Sequence, residues 1–138
     1  MAAVVDCMEA IAELWAGLAP PDRPRQPYHH VDQRETYDDR GFRFELPVRN
    51  VSAAIAADRS AALVEWTIGA AFVVTRRGRG FFDFSRSVAN ESKQLAQAVE
   101  NKTAWPAKVS EVFVESLDTT EEPEGAIVNF NFTVLCED

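Results

Sequence analysis

The segment from Leu63 to Thr75 constrains the fold more than any other part of this sequence. Apolar side chains occupy every second position, at Val64, Trp66, Ile68, Ala70, Phe72 and Val74. Successive side chains of a strand point to opposite faces, so this period of two predicts one long strand with a fully apolar face. A strand of this kind belongs at the centre of a sheet that is buried on one side.

Three further segments, 42–46, 109–117 and 126–136, predict the strands that complete this sheet. In the last segment, the polar side chains that alternate with apolar ones are Asn129, Asn131 and Thr133. These side chains either pair with a strand of another protomer or face water. In the first segment, the apolar residues that share one face are Phe42, Phe44 and Leu46. Because proline lacks an amide donor, Pro47 ends that strand or marks it as an edge.

Two segments have the three- and four-residue spacing of amphipathic helices. In residues 2–18 the apolar stripe consists of Val4, Met8, Ile11, Trp15 and Leu18. The second helix is predicted to begin at Asp83 or Ser85, either of which can cap its amides, and to end at Asn101. Its stripe consists of Phe84, Val88, Leu95 and Val99. Both stripes need a sheet to cover them.

The predicted architecture is a single α+β domain over residues 1–138. A mostly antiparallel four-stranded sheet is packed on one face by two helices, in the order α-β-β-α-β-β. The proline-rich, polar segment 18–40 is a connector within this domain, because the first helix cannot bury its own stripe. The segment 48–60 follows neither period clearly and is interpreted as a loop, with a short helix over 52–57 as the alternative.

The charge balance argues against several classes of function. Fourteen basic residues against 22 acidic ones give a net charge of -8, which disfavours a general nucleic-acid or anionic-membrane binder. No apolar run approaches the roughly 18 residues that cross a bilayer, and the first residues lack the basic region of a secretory signal. We therefore expect a protein that stays in the cytosol. Cys7 and Cys136 lack zinc or redox spacing and are expected to be buried free thiols.

Residues with metal-binding or catalytic potential cluster at His29, His30, Asp32 and Glu35. Adjacent histidines on an extended segment point to opposite sides and cannot readily chelate one ion, so a polar surface loop is the favoured interpretation. A G-x-S-x-G nucleophile pattern is absent from the sequence. The Gly78-x-Gly80 pair is not followed by the third glycine of a dinucleotide-binding loop or by the Lys-Ser/Thr of a P-loop. We expect no enzyme activity, no metal and no cofactor.

Two charged segments and one tryptophan are candidates for partner contacts. The basic cluster consists of Arg76, Arg77, Arg79 and Arg86, and the acidic hairpin loop contains Asp118, Glu121, Glu122 and Glu124. The arginines form either a solvated turn or a phosphate site, of which the solvated turn is the favoured interpretation. If the cluster is functional, we expect it to meet an acidic protein surface. The acidic residues lack the spacing of an EF-hand. Trp105, next to Pro106 at the junction of two elements, is a candidate for a subunit contact.

The order and size of these elements resemble the tail-terminator, or tail-completion, proteins of long-tailed bacteriophages and related gene-transfer particles. The resemblance depends on the N-terminal helix, the strand Phe42-Arg43-Phe44-Glu45-Leu46, a long strand ending in a basic turn, a helix of about five turns, and the closing segment 125–135. The chain departs from the family in the region 20–40, which is longer and more polar.

This resemblance implies a structural protein of the virion, made in the bacterial cytoplasm, located in the neck of the tail and without enzyme activity. Proteins of this family form a ring, usually a homohexamer, that caps the tail tube and joins it to the head connector. The implied partners are copies of the chain itself, the tube protein and a head-closure or connector protein, with no specific nucleic acid and no membrane. The alternative is a small α+β enzyme or ligand-binding domain with a site between helices and sheet, near Trp66 and His29.

Overall fold

Two helices and six strands lie within the residues that the computed structural model describes, which are 2–21, 23–32, 39–50 and 63–137. In chain order the elements are α1 (Ala2–Ala16), β1 (His29–His30), β2 (Gly41–Phe44), β3 (Val48–Asn50), β4 (Leu63–Thr75), α2 (Phe81–Asn101), β5 (Val109–Glu122) and β6 (Gly125–Glu137). The α+β class is as predicted. Residues 52–57, for which a short helix is the alternative to a loop, and Glu35 of the histidine-containing segment lie outside the described residues.

The strands form one mixed sheet in the order β1-β2-β4-β6-β5, and β3 also pairs with β4. β1 runs parallel to β2, whereas the other described pairings are antiparallel. The prediction of a mostly antiparallel four-stranded sheet in the order α-β-β-α-β-β is therefore confirmed only in part, because two further strands, β1 and β3, lie on either side of β2 in the chain. β1 and β3 escaped prediction because strands of two and three residues are too short to establish a period of two.

β4 and β6 form the centre of the sheet, and the bounds of β4 agree with the prediction. The two strands pair along their whole length, from Leu63 opposite Glu137 to Thr75 opposite Gly125. The predicted inward residues of β4 that are buried are Trp66, Ile68, Ala70, Phe72 and Val74. The period of two therefore identified the face that carries the core.

The backbone of β6 has no free edge for another protomer, because β6 lies between β4 and β5. Its outward polar side chains instead bond to side chains of β5. Asn129 Nδ2 donates to Asp118 Oδ1 (3.2 Å), Asn131 Nδ2 donates to Ser116 Oγ (3.3 Å), and Thr133 Oγ1 donates to Glu115 Oε2 (2.9 Å). These bonds replace the strand pairing between protomers that was one of the two expectations for β6.

Both helices cover the same face of the sheet. The indole of Trp15, in α1, lies edge-on to Phe42 with ring centroids 5.4 Å apart and packs against Phe130 at 5.2 Å. Its Nε1 donates to the backbone oxygen of Leu95 in α2 (3.1 Å), which satisfies the polar atom of a fully buried side chain. The fully buried members of the predicted stripe are Val4, Ile11 and Trp15. α1 ends at Ala16 rather than at residue 18.

α2 begins earlier than predicted, at Phe81, and its N-cap is Gly80. No side chain caps this helix, so the prediction that Asp83 or Ser85 does so is wrong. Asp83 lies inside the first turn and accepts a hydrogen bond from Arg86 Nη1 (3.2 Å). A carboxylate at this position still interacts favourably with the helix dipole.

The edge formed by β2 and β3 is interrupted. β2 ends at Phe44, so the prediction that the strand continues to Leu46 on the inner face is wrong, and Leu46 is 84% exposed. Pairing resumes at Val48, opposite Thr67 of β4. Pro47 lies in this interruption, where its missing amide donor is not needed by a ladder.

β5 is longer than predicted, so the acidic segment is mostly strand and not a hairpin loop. Asp118 pairs with Asn129, and Glu121 pairs with Ala126, which leaves Pro123 and Glu124 as the turn. The long ladder of β6 offers a partner for every residue from Ser116 to Glu122, and the β-branched Thr119 and Thr120 suit a strand. The prediction of a strand ending at residue 117 underestimated this pairing.

Cys7 and Cys136 are free and buried, as predicted. Burial raises the pKa of the Cys7 thiol to about 12, and the neighbouring Cys136 adds to this shift. Burial also raises the pKa of Cys136. Both side chains are therefore neutral thiols of the core at neutral pH.

Candidate interaction surface

The turn between β4 and α2 carries three of the predicted contact residues, Arg76, Arg77 and Arg79. Arg77 and Gly78 have positive φ angles of 47° and 74°. Glycine adopts this conformation without the steric cost that a Cβ brings, so Gly78 permits the chain to reverse. The turn closes with a hydrogen bond from Arg79 N to Arg76 O (3.0 Å). Arg77 is exposed at its tip.

Arg79 is an integral part of this turn. Its Nη1 donates to Ser87 Oγ (2.6 Å), and its Nη2 donates to Thr75 O (2.6 Å). Its guanidinium carbon lies 5.6 Å from the centre of the Phe84 ring, within cation–π range. These contacts connect the end of β4 to the first turns of α2.

The four predicted arginines line two different cavities, although Arg76 and Arg79 contact each other: Arg76 Nε donates to Arg79 O (2.9 Å), and Arg79 Nε donates to Arg76 O (3.2 Å). Arg76 and Arg77 line a cavity of about 400 Å³ together with Glu124. Arg79 and Arg86 line a different cavity, of about 340 Å³. Arg86 is itself paired with Asp83, and both side chains are largely exposed.

The basic turn and the tip of the acidic hairpin lie at the same end of the sheet. Arg76 N donates to Glu124 O (2.8 Å), and Thr75 is paired with Gly125. The basic turn and the tip of the acidic hairpin therefore do not lie on separate surfaces. The antiparallel register of β4 and β6 imposes this arrangement, because the end of one strand meets the beginning of the other. Of the other predicted acidic contacts, Glu122 is the last residue of β5.

An open apolar groove of about 730 Å³ lies between α2 and the outer half of the β5–β6 hairpin. Its apolar lining includes Phe81 and Leu117, which are 55% and 43% exposed. Lys93, Glu100 and Glu121 also line it. β5 pairs only with β6 among the described strands, so its outer edge carries unpaired backbone groups beside the groove. We call the groove and this edge the α2–β5 face.

A second exposed apolar segment lies at the opposite edge of the sheet. Leu46 and Val48 are 84% and 60% exposed, and Arg49 is exposed next to them. β3 pairs with β4 on the side of β4 that faces away from β6. We call these three residues the β3 edge.

Trp105 lies between α2 and β5 and is partly buried against the core. The Nζ of Lys102, at the end of α2, is 5.3 Å from the centre of the Trp105 ring. This arrangement stabilises the junction of the two elements by apolar contact and a cation–π interaction. A role for Trp105 in subunit contact stays a prediction.

Sequence analysis missed a buried ionic network beside α2. Arg40 and Glu91 are each 1% exposed and form two parallel hydrogen bonds, from Nε to Oε1 (2.7 Å) and from Nη2 to Oε2 (2.8 Å). Tyr28 Oη donates to the same Oε1 (3.0 Å), and Arg40 Nη1 donates to Asp39 Oδ2 (2.6 Å). The network joins the middle of the polar connector, at Tyr28, and its end, at Arg40, to the helix that covers the sheet.

One signal in the sequence pointed to this network. Glu91 lies on the predicted apolar stripe of α2, between Val88 and Leu95, where a buried charge needs a partner. The partner itself could not be predicted, because Arg40 comes from a connector of no clear period. Asp39 completes the network, since its Oδ1 accepts the amide of Thr75 (2.9 Å). Burial acts to raise the pKa of Asp39, but the Thr75 amide and Arg40 outweigh burial and hold that pKa below its usual value.

The histidines and Trp66 do not assemble into one site. His30 Nδ1 lies 3.3 Å from Asp32 Oδ1 at the surface. His29 pairs with Gly41, next to the Val73 end of β4. Trp66 lies seven residues along β4 from Val73, which is about 23 Å in a strand. The site that the enzyme alternative placed near both residues is therefore not formed by them.

Several kinds of comparison give no identification. Within the described ranges, no group of three or more His, Cys, Asp or Glu side chains could hold a metal ion. None of the helices in those ranges is long and apolar enough to cross a membrane. No model of a known protein family matches the chain, and no curated protein matches it in sequence. The two apolar surfaces described above are thus the basis for assigning a function.

Proposed function

We propose that this chain is a structural assembly protein of the bacteriophage tail-terminator type. It forms a homo-oligomeric ring, in this family usually of six copies, that caps the tail tube and joins it to the head connector. The observation that carries the proposal is the pair of exposed apolar surfaces, the α2–β5 face and the β3 edge, at opposite edges of one sheet. Two different surfaces suit head-to-tail contacts, which close into a ring when the rotation permits.

Both surfaces are apolar, and the charged residues beside them differ: Lys93 is the one base among the described residues that line the groove, against two acids. The β3 edge projects Leu46 and Val48, and the groove of the α2–β5 face has room for apolar side chains. Arg49 lies beside the first surface, whereas Glu100 and Glu121 line the second. Contact between the β3 edge of one copy and the α2–β5 face of the next buries apolar area and brings opposite charges together.

The buried charges of the described residues also support a structural role. Arg40, Glu91 and Asp39 satisfy one another with short, charge-assisted hydrogen bonds. Such a network fixes the connector against α2, and rigid subunits assemble at a smaller entropic cost than flexible ones.

Sedimentation velocity over a concentration series, with and without purified tail tube protein, tests the assembly. We expect a discrete species of about six times the monomer mass of 15.4 kDa, formed at high concentration or on tube ends. A protein that stays monomeric at every concentration, also when tube protein is present, contradicts the proposal.

Two single-surface variants test the head-to-tail geometry. Phe81→Glu places a charge in the α2–β5 face, and Leu46→Glu places one in the β3 edge. Neither variant assembles alone, but an equimolar mixture keeps one intact contact per pair and forms dimers without rings. Phe82→Glu is the matched control, because Phe82 is 72% exposed and does not line the groove. Normal rings formed by Leu46→Glu alone exclude this contact.

A further inference from the structure

A cavity of about 340 Å³ between the connector and α2 is lined by three arginines, Arg23, Arg79 and Arg86. We call it the arginine cavity. Ser87 and Asn90 of α2 also line it, as do the carboxylates Asp83 and Glu91. It is separate from the groove of the α2–β5 face, with which it shares no lining residue.

The carboxylates of the arginine cavity already have cationic partners. Glu91 accepts two hydrogen bonds from Arg40, which lies behind it, and Arg40 also binds Asp39. Asp83 pairs with Arg86 at 3.2 Å. By contrast, neither Arg23 nor Arg79 has a carboxylate within ion-pair distance among the described residues. The cavity thus keeps an excess of positive charge in a chain whose net charge is -8.

Arg79 is held in place for binding before any ligand arrives. Its Nε, Nη1 and Nη2 donate to Arg76 O, Ser87 Oγ and Thr75 O, which leaves two of the five guanidinium N–H groups. Burial lowers the pKa of Arg79, and the positive charges of Arg23 and Arg40 lower it further. An anion between Arg23 and Arg79 opposes this repulsion, while the guanidinium stays charged throughout the accessible pH range.

We propose that the arginine cavity binds an oxyanion, a carboxylate or phosphate group, between the guanidiniums of Arg23 and Arg79. Both guanidiniums offer the donor geometry that matches such a group. Ser87 accepts a bond from Arg79, so its hydroxyl hydrogen is available to the anion, and the Asn90 amide adds further donors. This inference goes beyond the proposed function and does not depend on ring formation.

Titration of the ¹⁵N-labelled full chain with inorganic phosphate and, separately, with acetate tests the site, with sodium chloride holding the ionic strength constant. We expect saturable shifts at the Arg79 Nε–H and at the backbone amides of Ser87 and Asn90. Saturation by phosphate alone identifies a phosphate site, and saturation by acetate identifies a carboxylate site. If neither anion gives saturable shifts at these groups, the proposal is wrong.

Substitution of Arg23 tests the assignment of the residues. Arg23→Gln should weaken binding by roughly tenfold or more, the effect of losing a charge-assisted hydrogen bond. Arg25→Gln is the matched control, since Arg25 is exposed on the same connector and does not line the cavity. Equal affinities of the wild type and Arg23→Gln overturn the assignment. If the urea unfolding midpoint of Arg23→Gln, measured in sodium chloride without phosphate or acetate, differs from that of the wild type, the variant is not a fair test of binding. The titration of the wild type then decides the proposal by itself.

Discussion

β4 and β5 flank the same strand, β6, but they differ in how much of their surface is buried. Both pair with β6 along nearly their whole length. β4 buries Trp66, Ile68 and every residue from 70 to 74, whereas every residue of β5 stays at least partly exposed. Hydrogen bonding within the sheet is therefore similar on the two sides, and the difference lies in what covers each strand.

The aromatic cluster around Trp15 covers the β4 side. Phe42 and Phe130 of the sheet pack against that indole, and α1, which carries Trp15, covers the cluster on the helix side of the sheet. On the β5 side, α2 and Leu117 line the groove, which is open to solvent. Monomeric proteins seldom leave large apolar surfaces uncovered unless a partner occupies them. One side of the sheet therefore provides the folding core, and the other leaves an apolar groove uncovered.

The largest effect on the free energy of unfolding is expected from Trp15→Ala, which opens a cavity on the side of the sheet that α1 covers. Removing a fully buried tryptophan costs about 3–5 kcal/mol in the free energy of unfolding. Urea unfolding followed by circular dichroism measures this loss. Trp15→Phe is the control, because it keeps most of the volume and loses the bond to Leu95 O, at a cost of about 1–2 kcal/mol. A loss below 1 kcal/mol for Trp15→Ala contradicts the role of the α1 side as the core.

The next largest effect is expected from Glu91→Gln, which removes one of the two carboxylates paired with the buried Arg40 and leaves Asp39 as its remaining counter-charge. Breaking a buried ion pair on one side costs about 3 kcal/mol, at the lower end of the usual range because glutamine still accepts one hydrogen bond. Urea unfolding again gives the measurement. Glu100→Gln, on the exposed surface of the same helix, should leave the unfolding free energy within about 0.5 kcal/mol of the wild type.

Long periodic segments made the centre of the fold predictable from the sequence. β4 and the buried stripe of α1 follow their periods without interruption, so burial dictates the residue types there. β1 and β3 could not be predicted, because tertiary pairing with β2 and β4 creates them. The extension of β5 to Glu122 has the same cause, since β6 imposes strand structure on a segment that is acidic and turn-like in composition.

The candidate surfaces were less predictable than the fold. The basic cluster was visible as Arg76, Arg77, Arg79 and Arg86, but their division between two cavities depends on how the turn folds back. The strand period places Leu46 on the same face as Phe42 and Phe44, whereas the strand ends before Pro47 and Leu46 is exposed to solvent. The local sequence pattern indicates which residues favour burial. Which apolar residues stay exposed is determined only by the packing of the complete sheet.

A smaller effect on the free energy of unfolding is expected from a change in pH, because Asp39 gains a proton in acid. The pKa of Asp39 is below its usual value in the folded state, so the unfolded chain binds the proton more tightly. The free energy of unfolding therefore falls as the pH drops below about 4 toward the folded-state pKa, and this contribution is fully present at neutral pH. Asp39→Asn should cost about 1–2 kcal/mol at pH 7, through its weaker bond to Arg40, and should flatten this acid dependence.

Urea unfolding between pH 7 and pH 2 measures both quantities. Asp6→Asn is the control, because Asp6 lies on the exposed side of α1 and belongs to no ion pair within the described part of the chain. An acid dependence of Asp39→Asn as steep as that of the wild type would place the acid-sensitive contact elsewhere.

The smallest effect on stability is expected from Leu117→Ala in β5. This variant is also the sharpest test of the difference between the buried β4 side and the exposed β5 side of the sheet. Leu117 is 43% exposed, so its truncation should cost less than about 1 kcal/mol of unfolding free energy. The same change removes an apolar contact from the α2–β5 face and should weaken self-association measured by sedimentation. Phe113→Ala is the matched control: Phe113 is 48% exposed on the same strand, but it pairs with Thr133 on the opposite face of the sheet. If both variants associate equally well, the groove is not the assembly surface, because only one of the two side chains lies in it.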